Sequence, residues 1–197
     1  MKVLIRAGDN GNIGINFEPV FERLNEELSA KSISLNLVCA GGYVMQLHGH
    51  RGTADIDAFF RSNAEIDRII EKVGDEFEIN RPDELWLNNS ISNMNPTPPA
   101  EHRELAYKFS NLTVEIVTIT YLLGMKLHSG RDQDLKDAAD IIRKDGVQEP
   151  FELMEELENI GFTVDISNLL DTFGEAHGID WLTNFYEENQ NKLQEYF

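Results

Sequence analysis

Residues 55–57, Asp-Ile-Asp, place two acids in an apolar run that continues through Ala58-Phe59-Phe60. Side chains two apart in a strand share a face. Asp55 and Asp57 therefore point one way, and Ile56 and Ala58 point the other. Two carboxylates on one strand face repel each other and resist burial. A shared divalent cation relieves both costs, and an all-oxygen donor set suits Mg²⁺ or Mn²⁺. Just upstream, Leu35 to Ala40 reads as an apolar strand that breaks at Gly41-Gly42. A short helix-compatible stretch to His48 follows, and Arg51-Gly52-Thr53 leads back to the acids. Backbone N–H groups where such a strand meets a helix attract an anion, and glycine lets a bulky phosphate approach.

The remaining chain alternates in a way that predicts an α/β (α+β) fold, a mixed sheet flanked by helices. A short edge strand is expected at Val3–Ile5 and an amphipathic helix from Phe17 to Lys31, with Val20, Phe21, Leu24 and Leu28 inward. Ser62-Asn63 caps a helix expected to run to Val73 on Ile66, Ile69, Ile70 and Val73. Residues 74–103 read as irregular, with a turn at Arg81-Pro82-Asp83 and a loop from Asn88 to Ala100. Leu105–Phe109 and Leu112–Ile119 are β-rich and separated by Ser110-Asn111, which suits a two-residue hairpin. Glu115 sits in the middle of the second run, on the face opposite Leu112, Val114 and Ile116. From Tyr121 on the pattern is helical, with Leu122, Leu123 and Leu127 in a stripe that includes Lys126. Gly130 ends that helix and Asp132 caps the next, placing Arg131 on the inward side four residues before Leu135. Pro150 opens a further helix, and helical segments fill the rest. Residues 1–119 are thus expected as an α/β core and residues 120–197 as a helical region packed on it.

Thirty-five acids against seventeen bases give a net charge of −18, which repels polyphosphate at long range and argues against a broad nucleic-acid groove. A small anionic substrate would arrive with its metal. No run is long and apolar enough to span a bilayer, and residues 1–9 have no signal-peptide core. The single cysteine, Cys39, lies in an apolar strand, so a cytoplasmic location is expected.

A strand ending in Gly41-Gly42, an acid-apolar-acid triplet at Asp55-Ile56-Asp57 and a later strand acid at Glu115 together resemble the nucleotidyltransferase superfamily of the DNA polymerase β type. Arg51-Gly-Thr53-Ala-Asp55-Ile-Asp57 and Lys126-Leu127-His-Ser-Gly-Arg131-Asp-Gln-Asp134-Leu-Lys-Asp137 are most similar to the AbiEii-type branch. Glu115 stands where Asp is more usual. The resemblance covers about residues 33–145. It implies a Mg²⁺- or Mn²⁺-dependent transfer of an NMP group from an NTP to a hydroxyl. Asp55, Asp57 and Glu115 would be the metal-binding catalytic acids. Gly41, Gly42, Arg51, Thr53, Lys126 and Arg131 would bind the nucleotide. The acceptor could be RNA, a protein or a small molecule, and a toxin–antitoxin setting is implied, with a partner protein or homo-oligomer.

Plainer accounts compete. Asp55 and Asp57 could be a solvated strand end. Glu115 could form an ion pair with Lys126 or Arg131, Lys126 could snorkel at a helix edge, and Arg131 could bridge to Asp134 or Asp137. His48 and His50 lack a third ligand for zinc and read as loop residues, while His128 and His177 read as ordinary helix histidines. Phe173, Trp181, Phe185 and Tyr186 suit helix packing. A rival reading is a non-catalytic, nucleotide-binding or partner-binding module on a degenerate nucleotidyltransferase fold.

Overall fold

The computed structural model describes residues 4–7, 12–82, 84–93 and 96–196. The chain divides into two compact units, Met1–Thr118 and Ile119–Phe197.

The first unit is built on a mixed five-stranded sheet. Its strands are β3 (Leu35–Ala40), β4 (Ile56–Phe59), β5 (Leu87–Asn88), β6 (Arg103–Lys108) and β7 (Leu112–Val117), in the order β5-β4-β3-β7-β6. β3 runs antiparallel to β4 and parallel to β7. A separate antiparallel pair, β1 (Leu4–Ala7) and β2 (Asn12–Ile15), precedes it. The expected edge strand falls in this pair, with Val3 outside the described residues.

One face of the sheet is apolar and closed. Leu37, Cys39, Ile56, Ala58, Val114 and Ile116 share it and are buried. α1 (Glu18–Ala30) packs against β7 and against α3 (Ala64–Phe77), burying Val20, Phe21, Leu24 and Leu28. Each such side chain contributes roughly 1.5–3 kcal/mol when fully withdrawn from water, which makes this face the anchor of the unit. Asn63 caps α3, its side-chain oxygen accepting from the Glu65 and Ile66 amides at 2.9 and 3.0 Å. The helix continues past Val73 to Phe77 because Gly74 is a packing residue within it. A Cβ there would lie 2.5 Å from the Trp86 ring, whose indole N–H donates to the Ile70 carbonyl at 2.9 Å.

The other face carries Asp57, Glu115, Arg103 and Leu105. A bulge between Leu105 and Tyr107 in β6 divides the strand's side chains between the two faces. Before it, Arg103 and Leu105 stand on the Glu115 face; after it, Tyr107 turns to the closed face, its ring 5.8 Å from Phe21. The two-residue loop Ser110-Asn111 closes the β6–β7 hairpin, with the Phe109 amide donating to the Leu112 carbonyl at 2.8 Å.

The second unit is helical: α4 (Ile119–Ser129), α5 (Asp132–Asp145), α6 (Pro150–Asn159), α7 (Ile166–His177), α8 (Ile179–Glu188) and α9 (Gln190–Leu193). α5 lies between α4 and α7 and presents Ala138, Ala139 and Ile142 to the core. Asp165 caps α7 by accepting from the Asn168 amide at 3.0 Å. Trp181 stacks between Phe173 and Phe185 at 5.5 and 5.2 Å, so these aromatics are packing residues. His128 and His177 each hydrogen-bond a loop carbonyl at 2.7 Å. Among the described residues no helix is long and apolar enough to cross a membrane.

Candidate active site

β3 delivers the chain to Gly41, whose φ of +61° is a left-handed conformation that favours glycine. A Cβ at Gly41 would lie 3.0 Å from Asp57 Oδ2, so that carboxylate rests against bare backbone. At Gly42 a Cβ would meet Thr53 Oγ1 at 2.7 Å and Arg51 Nη1 at 3.3 Å. The two glycines thus gather Arg51, Thr53 and Asp57 onto one turn, which opens α2 (Gly41–Leu47). Cys39, one residue before this turn's N-cap, is fully buried. Burial pushes its thiol up, and the Asp57 charge pushes it further, so it is inert as a nucleophile.

The loop between α2 and β4 is held by one buried side chain. The Gln46 amide donates to the Ile15 carbonyl at 2.8 Å and accepts from the Thr53 amide at 3.0 Å. The Ile15 amide in turn donates to the Thr53 carbonyl at 3.1 Å. With Thr53 fixed, its hydroxyl donates to Asp55 Oδ1 at 2.9 Å and orients that carboxylate. Asp55 stands immediately before β4 rather than inside it. Its other oxygen pairs with Arg81 at 3.2 Å, and Arg81 also meets Glu84 at 3.1 Å. The Arg81 side chain is 51 % exposed and that of Asp55 27 %. An ion pair this open contributes at most about 1 kcal/mol.

β5 forms the far side of the turn. Asn88 is the register partner of Asp57, so their side chains share a face. Asn88 Oδ1 accepts from the Ser90 amide at 3.1 Å and its hydroxyl at 2.5 Å. Its Nδ2 is buried and has no partner among the described residues.

Glu115 shares the open face but not this turn. It lies opposite Val38 on one side of β3, whereas Asp57 lies opposite Ala40 on the other. Two strand spacings and one two-residue step put their Cα atoms about 12 Å apart. Glu115 instead pairs with Arg103 at 3.4 Å, and Arg103 also donates from Nε to the Pro98 carbonyl at 2.7 Å. The expected partners of Glu115 in an ion pair, Lys126 and Arg131, are replaced by Arg103. Among the described residues no three His, Cys, Asp or Glu side chains converge to hold one ion.

Lys126 is buried within the second unit, its Nζ 2.6 Å from Asp137 and 3.0 Å from Asp134. Burial alone would raise the Asp134 carboxyl, but a hydrogen bond from Ser129 and the Lys126 charge outweigh it and hold it below its usual range. Arg131 is not inward. It precedes α5 in an extended conformation, as N-cap in place of Asp132, and its side chain is 74 % exposed while bonding Asp134 at 2.7 Å. Helical spacing cannot be extended to a residue that is not in the helix.

Gln46, Arg81, Asn88 and Arg103 are additions that sequence reasoning missed. Gln46 alone left a trace, as a polar residue amid Tyr43, Val44, Met45 and Leu47.

The open sheet face thus carries a glycine turn, the Asp57 carboxylate against it, and Asp55 oriented by Thr53 and paired with Arg81. The chain belongs to a family described as a nucleotidyltransferase of unknown function (DUF6036), whose model matches residues 16–172. No curated protein and no solved structure matches the chain.

Proposed function

We propose that the protein moves an NMP group from an NTP to a hydroxyl acceptor, with Mg²⁺ or Mn²⁺ as the metal, at the turn formed by Gly41, Gly42, Arg51, Thr53, Asp55 and Asp57. The observation that carries this is the Asp57 carboxylate seated against Gly41 with Arg51 and Thr53 over Gly42. It leaves two carboxylates and a backbone without Cβ atoms on one turn. The donor set fits the metal, because Mg²⁺ commonly takes one or two protein carboxylates and fills its shell with substrate phosphates and water. Asp55 and Asp57 would hold it, and when bound it would supply Lewis-acid stabilisation of the phosphates.

The chain's own residues do the positioning. Gly41 and Gly42 let phosphate oxygens reach the backbone. The Arg51 guanidinium, over Gly42, neutralises phosphate charge as the acceptor oxygen bonds the α-phosphorus, the bond from that phosphorus to the pyrophosphate oxygen breaks, and the hydroxyl proton passes to water. Thr53 fixes the Asp55 carboxylate, and Gln46 fixes Thr53. Arg81 offsets the Asp55 charge until a cation competes for it. Glu115, held by Arg103 on the same face, is assigned to the acceptor side of the site rather than to the metal. The Lys126 ammonium already serves two carboxylates, so we assign it to the second unit's core, with Arg131 bracing Asp134 beside it.

Glu115's distance from the aspartates favours one alternative, a nucleotide-binding module that transfers poorly. Pyrophosphate release distinguishes the two. A toxin–antitoxin role would show as growth arrest on induced expression, relieved by Asp55→Asn/Asp57→Asn.

Calorimetric titration of the full chain with each Mg²⁺–NTP tests the site. At least one nucleotide should bind, and Asp55→Asn/Asp57→Asn should weaken it at least tenfold. Unchanged affinity in the double variant, or no binding by the wild type, refutes the reading.

A further inference from the structure

Asn88 has a buried amide donor with no partner among the described residues, on the strand position paired with Asp57. Its orientation is fixed by chemistry. The Ser90 backbone amide can only donate, so the Asn88 atom that meets it at 3.1 Å must be the oxygen, and the nitrogen must be the orphan. Burying an amide donor with no acceptor costs its full desolvation, and native folds rarely leave such a group without a use. Being the register partner of Asp57 puts this donor on the face where the nucleotide is proposed to sit. Asp55 and Asp57 carry negative charge there, and carboxylates and phosphates alike can accept from an N–H but offer none of their own.

We propose that Asn88 is a nucleotide-binding residue whose Nδ2–H donates to an acceptor oxygen of the bound nucleotide, a phosphate oxygen or a sugar hydroxyl. The inference rests on the Asp55/Asp57 site being the nucleotide site and adds β5 as its second wall. β5 is only two residues long, and it is tied to β4 through the Ile56 amide, which donates to the Trp86 carbonyl at 2.7 Å. This bond and the β4–β5 pairing set Asn88 next to Asp57 before any ligand arrives.

Two variants separate donation from structure. Asn88→Asp keeps the oxygen that Ser90 uses and replaces the donor with an acceptor. Asn88→Ala removes both without adding charge. Binding is measured on the full chain with Mn²⁺ and each of ATP, GTP, CTP and UTP, and with Mn²⁺ and inorganic tripolyphosphate. Melting temperature is recorded without ligand. Both variants should weaken the best-bound nucleotide about tenfold, and the metal-free melting temperature should not fall by more than a few degrees. An equal loss with tripolyphosphate assigns the bond to a phosphate oxygen, and a loss confined to the nucleotide assigns it to the sugar. Wild-type affinity in Asn88→Ala overturns the proposal. Asp57→Asn is run alongside. If it loses binding while Asn88→Ala does not, only the role of Asn88 falls. If Asp57→Asn binds like the wild type, the site itself falls, and the role of Asn88 with it.

Discussion

Two clusters of acids and bases, one in each unit, use the same side-chain chemistry to opposite ends. In the helical unit Lys126 is enclosed by Asp134 and Asp137 at 3.0 and 2.6 Å, all three side chains being largely withdrawn from solvent. On the open sheet face Arg81 meets Asp55 at 3.2 Å and Arg103 meets Glu115 at 3.4 Å, each pair partly in water. Desolvated charges depend on their partners absolutely, because a lone buried charge is far costlier than the pair. Exposed pairs depend on each other weakly, because water replaces either partner at little cost. The first arrangement holds helices together. The second leaves carboxylates that an arriving cation can claim.

The largest effect expected from this contrast is at Lys126. Lys126→Met takes the buried ammonium away from Asp134 and Asp137, leaving the exposed Arg131 on Asp134, and should cost about 3–5 kcal/mol in urea denaturation. Hydrogen exchange should localise the loss to α4 and α5. A cost below about 1 kcal/mol would erase the distinction between the clusters.

Gly41→Ala is next. It forces an alanine into a left-handed conformation, at about 1–2 kcal/mol, and pushes its Cβ to within 3.0 Å of Asp57 Oδ2. Thermal melting should register the modest destabilisation, while titration with Mn²⁺ and nucleotide should show at least a tenfold loss.

The pH response should divide along the same line. Because the Asp134 carboxyl is depressed in the folded state, its stabilisation is full above its usual value of 3.8 and fades as pH falls through the depressed one. Asp134→Asn should therefore be less stable than wild type at neutral pH, with the gap closing in acid. A constant gap from pH 7 to pH 2 would contradict this.

The smallest effects belong to the open face. Arg81→Gln and Glu115→Gln should each change stability by less than about 1 kcal/mol. Arg81→Gln should nevertheless tighten Mn²⁺ binding in the absence of nucleotide, because a competing cation has gone. Mn²⁺ affinity equal to wild type would show that Arg81 does not contend for Asp55.

Local rules made much of the fold legible. The apolar spacing of α1, the Asn63 cap and the Ser110-Asn111 hairpin are all matters of a few neighbouring residues, and the alternating elements gave the α/β class. Gly41-Gly42 and Asp55-Ile56-Asp57 were readable because thirteen residues suffice to return a short helix to the adjacent strand. What failed was long-range or one-residue detail. Arg81 reaches Asp55 across twenty-six positions, with β4 and α3 between them, so no periodicity announces it. The β6 bulge, which sets Arg103 beside Glu115, is a register fault invisible in an alternating pattern. The helix expected to stop at Val73 runs on to Phe77, and the packing of Trp86 against Gly74 is set by residues outside the helix. The pairing of Lys126 with Asp134 and Asp137, eight and eleven residues on, was not legible either, because those aspartates read as partners of Arg131.

The open-face aspartates, and not the buried ones, are proposed to take the metal and triphosphate. Anomalous scattering from crystals grown with Mn²⁺ and a non-hydrolysable NTP analogue tests it most directly. A Mn²⁺ peak is expected between Asp55 and Asp57, with phosphates against Gly41-Gly42 and no peak at Asp134 or Asp137. A peak at the Lys126 cluster, or an ordered triphosphate away from Asp55 and Asp57, would contradict it.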